Sequence, residues 1–353
     1  MKMNTTNNLK NQTSPIFTDQ DTVQVLALDG GGLKGLYSAS VIKSLEGQLG
    51  HSICNHFDII TGTSTGGLIA LALGLGRSGL DIQRFYKENG HKIFPCNGFQ
   101  GVLRGFRWMF FSKYSNNILK KTLLRLLGSD NKINPQLKDS HKRLVIPTFL
   151  AGESIPRLLK TPHAERYKYD WKLPMWAVGL ATSAAPTYLP CFHYNSKSYI
   201  DGGLWANNPS LVGLVEAKDL GARMENIKVL NIGTTFSNSD SMYVYPFSKA
   251  FSFIRFRRGG ILSWGKQILP TVMQANSFAT ANMYLHQLLD RGNCFIINRQ
   301  LNEGDSKLDK IDNLKFVEMG ETAGEIHFSQ LSDFFKHKAH PYTPNLEAMT
   351  DGN

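Results

Sequence analysis

Residues 57–67 read F-D-I-I-T-G-T-S-T-G-G, and this stretch constrains the chain more than any other. The apolar run from Phe57 leads into Gly62-Thr63-Ser64-Thr65-Gly66, and Leu68, Ile69, Leu71, Ala72 and Leu73 follow at once. That order predicts a buried strand over 57–61, a G-x-S-x-G turn and a helix, the context in which this motif acts as a nucleophile elbow. So tight a turn strains the serine backbone. A Cβ two residues to either side would collide, which accounts for glycine at 62 and 66. The strain lifts the Ser64 hydroxyl clear of the sheet, and the N-terminal end of the following helix favours negative charge at the same spot. A five-residue pattern also arises by chance, so the flanking strand and helix carry the assignment of Ser64 as a nucleophile.

A second glycine-rich turn lies upstream. Residues 23–28 (V-Q-V-L-A-L) predict a short buried strand, Asp29-Gly30-Gly31-Gly32-Leu33-Lys34-Gly35 a loop, and residues 36–49 a helix with Ile42, Leu45 and Leu49 on one face. Gly30, Gly32 and Gly35 satisfy the G-x-G-x-x-G dinucleotide fingerprint. That fingerprint also wants an acidic residue at the end of the second strand. Here the second strand ends in Gly62-Thr63-Ser64, and Asp58 stands at its beginning. The other reading is an oxyanion hole, which needs N–H donors about 3 Å from the developing charge and a backbone able to come that close. Gly31 and Gly32 are the expected donors. Lys34 reads three ways: it orients the loop, anchors a phosphate, or is simply solvated.

A serine nucleophile needs a base. His286, His327, His337 and His340 lie downstream, but none sits in a strand-end glycine turn. Asp201 does, in Tyr199-Ile200-Asp201-Gly202-Gly203-Leu204. Burial beside a hydroxyl raises a carboxylate's pKa and shortens the proton path, so a Ser–Asp dyad is chemically workable. Asp in a glycine turn is also a common turn former. Further elements frame this one: a strand over 144–151, a helix of small residues over 174–185 stopped by Pro186, a helix opened by Asn208 as N-cap and Pro209 at N1, and a buried strand over 228–233.

The 353 residues suffice for one large α/β domain with additions or for two small ones. No apolar run approaches the roughly 18 residues of a membrane span, and the polar N-terminus has no secretory h-region. Cys54, Cys96, Cys191 and Cys294 are widely spaced, so neither disulfides nor a zinc site is expected. The formal charge of +11 calls for an anionic partner: nucleic acid, an acidic membrane surface or a phosphorylated ligand. Two stretches concentrate it. Residues 98–128 hold Arg104, Arg107, Trp108, Phe110, Phe111, Lys113, Lys120, Lys121 and Arg125 with no acidic residue. They suit a membrane interface or a helical lid whose rings pack on the core while its charges stay in water. Arg255, Arg257 and Arg258 stand among phenylalanines beside Gly259-Gly260 and suit phosphate or membrane contact, or a solvated basic face. The expected division is a flexible arm over 1–22, a catalytic core over 23–215 with 98–128 as a lid-like insertion, a basic part over 216–335 completing the fold, and a loosely ordered tail over 336–353.

Taken together, Gly30-Gly31-Gly32-Leu33-Lys34-Gly35, Gly62-Thr63-Ser64-Thr65-Gly66, Thr182-Ser183-Ala184-Ala185-Pro186, and Asp201-Gly202-Gly203 followed by Asn207-Asn208-Pro209 resemble the patatin-like phospholipase family. The likeness runs from about residue 23 to 213. It implies a three-layer α/β fold, a mostly parallel central sheet with helices on both faces, and metal-free hydrolysis of phospholipid acyl esters. Ser64 would be nucleophile, Asp201 base, and Gly31 and Gly32 the oxyanion donors. Size and basic character are similar to bacterial patatin-type effectors switched on by cyclic nucleotides in anti-phage signalling. That likeness, which no single residue carries, implies a cyclic dinucleotide activator. The spaced cysteines suit a reduced, cytoplasmic protein, the basic stretches a peripheral place at the inner membrane face, and no nucleic-acid polymer is expected as partner. The reading from another class is a non-hydrolytic nucleotide-binding protein that uses the glycine loop and the arginines.

Overall fold

A computed structural model describes residues 15–93, 114–128, 134–237, 268–301, 311–345 and 349. In chain order the main elements are β1 (Val23–Leu28), α1 (Gly35–Leu49), β2 (Ile59–Gly62), α2 (Thr65–Gly74), α3 (Gly79–Ile93), α4 (Asn116–Leu127), β3 (Arg143–Leu150), β4 (Ile155–Lys160) and α5 (Met175–Ser183). There follow β5 (Phe192–Tyr194), β6 (Lys197–Asp201), α6 (Gly203–Ala206), α7 (Ser210–Asp219), β7 (Ile227–Ile232), β8 (Phe236–Ser237), α8 (Ile268–Phe278), α9 (Leu285–Leu288), β9 (Cys294–Ile297), β10 (Gln300–Leu301), α10 (Asn313–His327) and α11 (Ser332–Lys336).

Every residue of β1 is buried, because the strand has a core on each face. Leu26 and Leu28 join α1, α2, α3, α5 and α10 on one side. Val23, Val25 and Ala27 join Leu214 and Ala217 of α7 on the other. The result is three layers: helices, sheet, helices. By hydrogen-bonded neighbours the sheet runs β5-β6-β3-β2-β1-β7-β9, with β4 also on β3. The β1–β2, β1–β7, β2–β3 and β7–β9 pairs are parallel, so the centre is parallel and only the β3–β6 end is antiparallel.

The pairing around β3 positions the site. Val145 pairs with both Thr61 of β2 and Lys160 of β4, whereas residues 148–150 pair with both β4 and β6. A strand has two edges, so β2 and β6 share the edge opposite β4, one after the other. The carboxyl end of β2 therefore faces the end of β6, where Asp201 pairs with Thr148.

Several expectations are corrected at the margins. The second strand begins at Ile59 rather than Phe57. The helix after Asn208 begins at Ser210 with Pro209 as its N-cap; Asn208 still contributes, its Oδ1 accepting the Ser210 N–H at 3.0 Å. The expected arm over 1–22 is too long: Phe17 is fully buried and its N–H donates to Leu220 O at 3.0 Å. Residues 1–14 lie outside the described residues.

The tail after Lys336 is likewise not loose where it is described. Asp58, just before β2 at the end of the sheet opposite Ser64, is fully buried. Its Oδ1 accepts the His340 backbone N–H at 2.6 Å and the His340 ring Nδ1–H at 2.8 Å. Its Oδ2 accepts the Gln24 N–H at 2.7 Å and the His337 Nε2–H at 2.8 Å. Burial works against this charge, but the bonds from His337, Gln24 and His340 outweigh it and hold Asp58 below the usual carboxylate range. Arg143 adds donations to His340 O at 3.3 Å and Pro341 O at 2.7 Å. Polar composition hid this clamp, since its donors meet partners far away in sequence. Deleting residues 337–353 removes three of the four donors to Asp58 and opens the carboxylate to water, and is expected to cost roughly 1–3 kcal/mol of stability, read as a lower denaturant midpoint. An unchanged midpoint would show that the clamp holds nothing.

Candidate active site

Ser64 sits between β2 and α2 at φ 53° and ψ −121°, a strained conformation for a residue with a Cβ. The glycines around it explain how it is held. A Cβ on Gly66 would run into the Leu28 carbonyl at the end of β1, and one on Gly62 into the Gly66 peptide. The turn thus rests directly on the neighbouring strand. The Ser64 N–H donates to Thr182 Oγ1 at 3.0 Å, and Thr182 in turn donates to Pro147 O at 2.6 Å. Thr182 entered the sequence reading only as part of a motif; its role as a support for the elbow needed the packing of α5 against β3 to emerge.

Ser64 Oγ donates to Asp201 Oδ2 at 2.7 Å, within reach for proton transfer. Asp201 is 1% exposed, and its Oδ1 accepts the Gly203 N–H at 2.7 Å. Burial pushes its pKa up to about 6, against the opposing pull of the bonds from Ser64 and Gly203. Gly202 and Gly203 serve by closeness: a Cβ on Gly202 would strike the Pro147 peptide, and one on Gly203 would come within 3.0 Å of Asp201 Oδ1. Among the described residues the Ser64 hydroxyl bonds Asp201 and no histidine. His327 bonds Gln330, and His337 and His340 belong to the Asp58 clamp at the far end of β2.

The glycine loop closes over the same point. Gly30 donates to Asn207 O at 2.9 Å, and its carbonyl accepts from Thr234 Oγ1 at 2.8 Å and Asn207 Nδ2 at 3.3 Å. A Cβ on Gly30 would lie 3.3 Å from that of Ser64, and one on Gly31 would overlap Thr234. The close backbone approach that the glycines permit is therefore filled by Asn207, Thr234 and the elbow, not left open for a pyrophosphate. Gly32, at φ 60°, lines the cleft beside Ser64, and Gly35 lets α1 pass close to Thr65 and Tyr86. Below the loop, Asp29 accepts from Asn231 Nδ2 at 2.7 Å. Burial moves Asp29 up to about 7 and Lys34 down to about 8. Lys34 is 8% exposed, with Nζ 3.5 Å from Thr235 O. The solvated and phosphate-anchoring readings of Lys34 give way to a lysine packed under the loop.

Above Ser64 and Asp201 opens a cleft of about 620 Å³ including its mouth. Leu33, Leu68, Phe85, Ile93, Leu119 and Met273 form much of its wall. An apolar channel with a hydroxyl–carboxylate pair at its floor suits a long acyl chain whose ester carbonyl reaches the serine. Of the basic stretch 98–128, the described helix α4 buries Leu119, Leu123, Leu126 and Leu127 and exposes Lys121 and Arg125, and Lys120 lies 3.8 Å from the Trp176 ring centre. Arg104, Arg107, Trp108, Phe110, Phe111 and Lys113 lie outside the described residues, as do Arg255, Arg257 and Arg258. Among the described residues no helix is long and apolar enough to cross a membrane.

Comparison with known proteins adds an independent observation. The family model described as patatin-like phospholipase matches residues 26–212. A protein of Escherichia coli named cGAMP-activated phospholipase is 32% identical over 286 residues, 76% of this chain and 77% of that protein. One of the same name from Vibrio cholerae is 28% identical over 344 residues, 91% and 94% of the two chains. Patatin-like protein 1 of Oryza sativa subsp. indica is 30% identical over 284 residues, 69% and 66% of the two.

Proposed function

Since the chain belongs to the patatin-like phospholipase family, we propose that it hydrolyses phospholipid acyl esters through Ser64 and Asp201 and is switched on by a cyclic dinucleotide. The observation that carries the catalytic assignment is the 2.7 Å bond from Ser64 Oγ to Asp201 Oδ2 at the floor of an apolar cleft. Asp201 takes the Ser64 proton as Oγ attacks the ester carbonyl. The oxyanion forms under the Gly31–Gly32 backbone. Collapse breaks the acyl C–O bond, and the lysophospholipid leaves with the proton returned by Asp201. Water, deprotonated by Asp201, then attacks the acyl-enzyme, and fatty acid departs as the proton passes back to Ser64.

The activator is supported by the names of the Escherichia coli and Vibrio cholerae relatives, whose similarity covers most of this chain. The charge of +11 supports peripheral contact with an anionic membrane face. The anti-phage role and the cytoplasmic setting belong to the same proposal. An activator shifts a closed–open balance only by binding the open state more tightly. Turnover of a soluble fluorogenic ester and of phosphatidylglycerol-containing liposomes is therefore expected to rise at least about tenfold with cGAMP. If cGAMP neither binds by calorimetry nor changes turnover of either substrate, the activator is refuted and the hydrolase assignment stands. If it accelerates only the liposome reaction, it acts on membrane attachment rather than on the site.

A further inference from the structure

The turn that follows Asp201 is held from outside by α8, a helix beyond the matched residues 26–212. Asn276 of α8 accepts the Asn207 N–H at 2.7 Å and approaches the Asn208 N–H at 3.4 Å through the same Oδ1. Its Nδ2 donates to Trp205 O at 2.7 Å. The next residue, Ser277, accepts from Asn207 Nδ2 at 2.7 Å. One carboxamide thus closes both the carbonyl and the amide side of the segment that runs from α6 into α7.

That segment touches three parts of the site. Asn207 grips Gly30 in two directions, N–H to carbonyl and side chain to carbonyl, and so sets the height of Gly31 and Gly32. Ala206 O accepts the Thr63 hydroxyl at 2.6 Å, one residue before the nucleophile. The start of α6 supplies the Gly203 N–H to Asp201. Met273, one turn before Asn276 on the same helix, lines the cleft and packs on Gly203. We infer that Asn276, assisted by Ser277, is a positioning residue that holds the elbow, the base and the glycine loop in register. It contacts none of the reacting atoms. Hydrogen-bonded amides fix such a register better than apolar packing, because each bond has one length and one direction.

The inference rests on the hydrolase reading and is tested with the full chain and a soluble ester. Fluorophosphonate titration counts active sites, so turnover per site separates a misaligned site from a smaller folded fraction. Asn276→Ala is expected to lower kcat per titrated site about tenfold with KM within about twofold, since misplacement acts on the transition state more than on ground-state binding. Ser277→Ala, a smaller change that keeps the Asn276 bonds, is expected to lower kcat per site about threefold. A purely structural role predicts fewer titratable sites with unchanged turnover at each, and that result overturns the inference, as does turnover per site within twofold of the parent in both variants. Ser64→Ala run alongside separates the two levels. If the parent's turnover survives that change, the hydrolase reading and this inference fall together; if it is lost and the α8 variants match the parent, only the inference falls.

Discussion

Replacing Ser64 by alanine is expected to abolish hydrolysis of soluble esters and phospholipids alike, by about ten-thousand-fold or more. Its Oγ is the atom that bonds Asp201 and faces the cleft, and without it no acyl-enzyme forms. The fold should survive. Ser64 is 6% exposed, and removing one oxygen opens little space. The positive φ of 53° strains alanine about as it strains serine. The parent is expected to take up one fluorophosphonate, located at Ser64 by peptide mass spectrometry. A label on any other residue, or turnover of Ser64→Ala above about one per cent of the parent, would falsify the assignment.

Asp201→Asn is expected to separate activity from stability. The amide keeps the shape and can still accept the Gly203 N–H, but it cannot take the Ser64 proton, so turnover should fall nearly as far as in Ser64→Ala. Stability should move the other way. Burial raises the Asp201 pKa from 3.8 to about 6, so between those values the folded state binds more protons than the unfolded one. The contribution of this group is most favourable below pH 4 and is lost as pH rises through about 6. At pH 8 the buried charge opposes folding by on the order of 1–3 kcal/mol. The neutral variant is therefore expected to melt above the parent at pH 8, and the gap should close as pH falls towards 4. In the parent, kcat/KM is expected to rise with pH through about 6 as the base ionises. Near-parent turnover in Asp201→Asn would transfer the base role elsewhere. A variant less stable than the parent at pH 8 would mean that the carboxylate is better satisfied than its two hydrogen bonds suggest.

Residues whose role depends on covalent sterics and local periodicity are legible in the sequence. The run 23–28 is apolar because both faces of β1 are covered, and such runs mark central parallel strands. Gly62 is required by the sharpness of the turn itself, where a Cβ would strike the Gly66 peptide, whereas Gly66 fits the same motif but is required by the approach of Leu28 at the end of β1. Residues that act by reaching across the fold left no such trace. Thr182 reads as one small residue in a helix of small residues, yet it takes the Ser64 N–H. Lys34 read equally well as a solvated side chain, because a sequence does not say which lysines end up beneath a loop. His337 and His340 looked like residues of a polar tail, yet they donate hydrogen bonds to a carboxylate buried just before β2.

Sequence by itself determined the chemical parts: a strained serine after a strand, an aspartate in a glycine turn, a glycine loop beside them, and the motif order that resembles patatin-like phospholipases. Only the tertiary structure decided that the parts meet. Ser64 and Asp201 are 137 positions apart, and they touch because β2 and β6 occupy successive lengths of the same edge of β3. Register between strands is set by the whole pattern of burial on two faces and by the loops that join them. It is a property of many weak contacts summed over distant segments, and no five-residue window carries it.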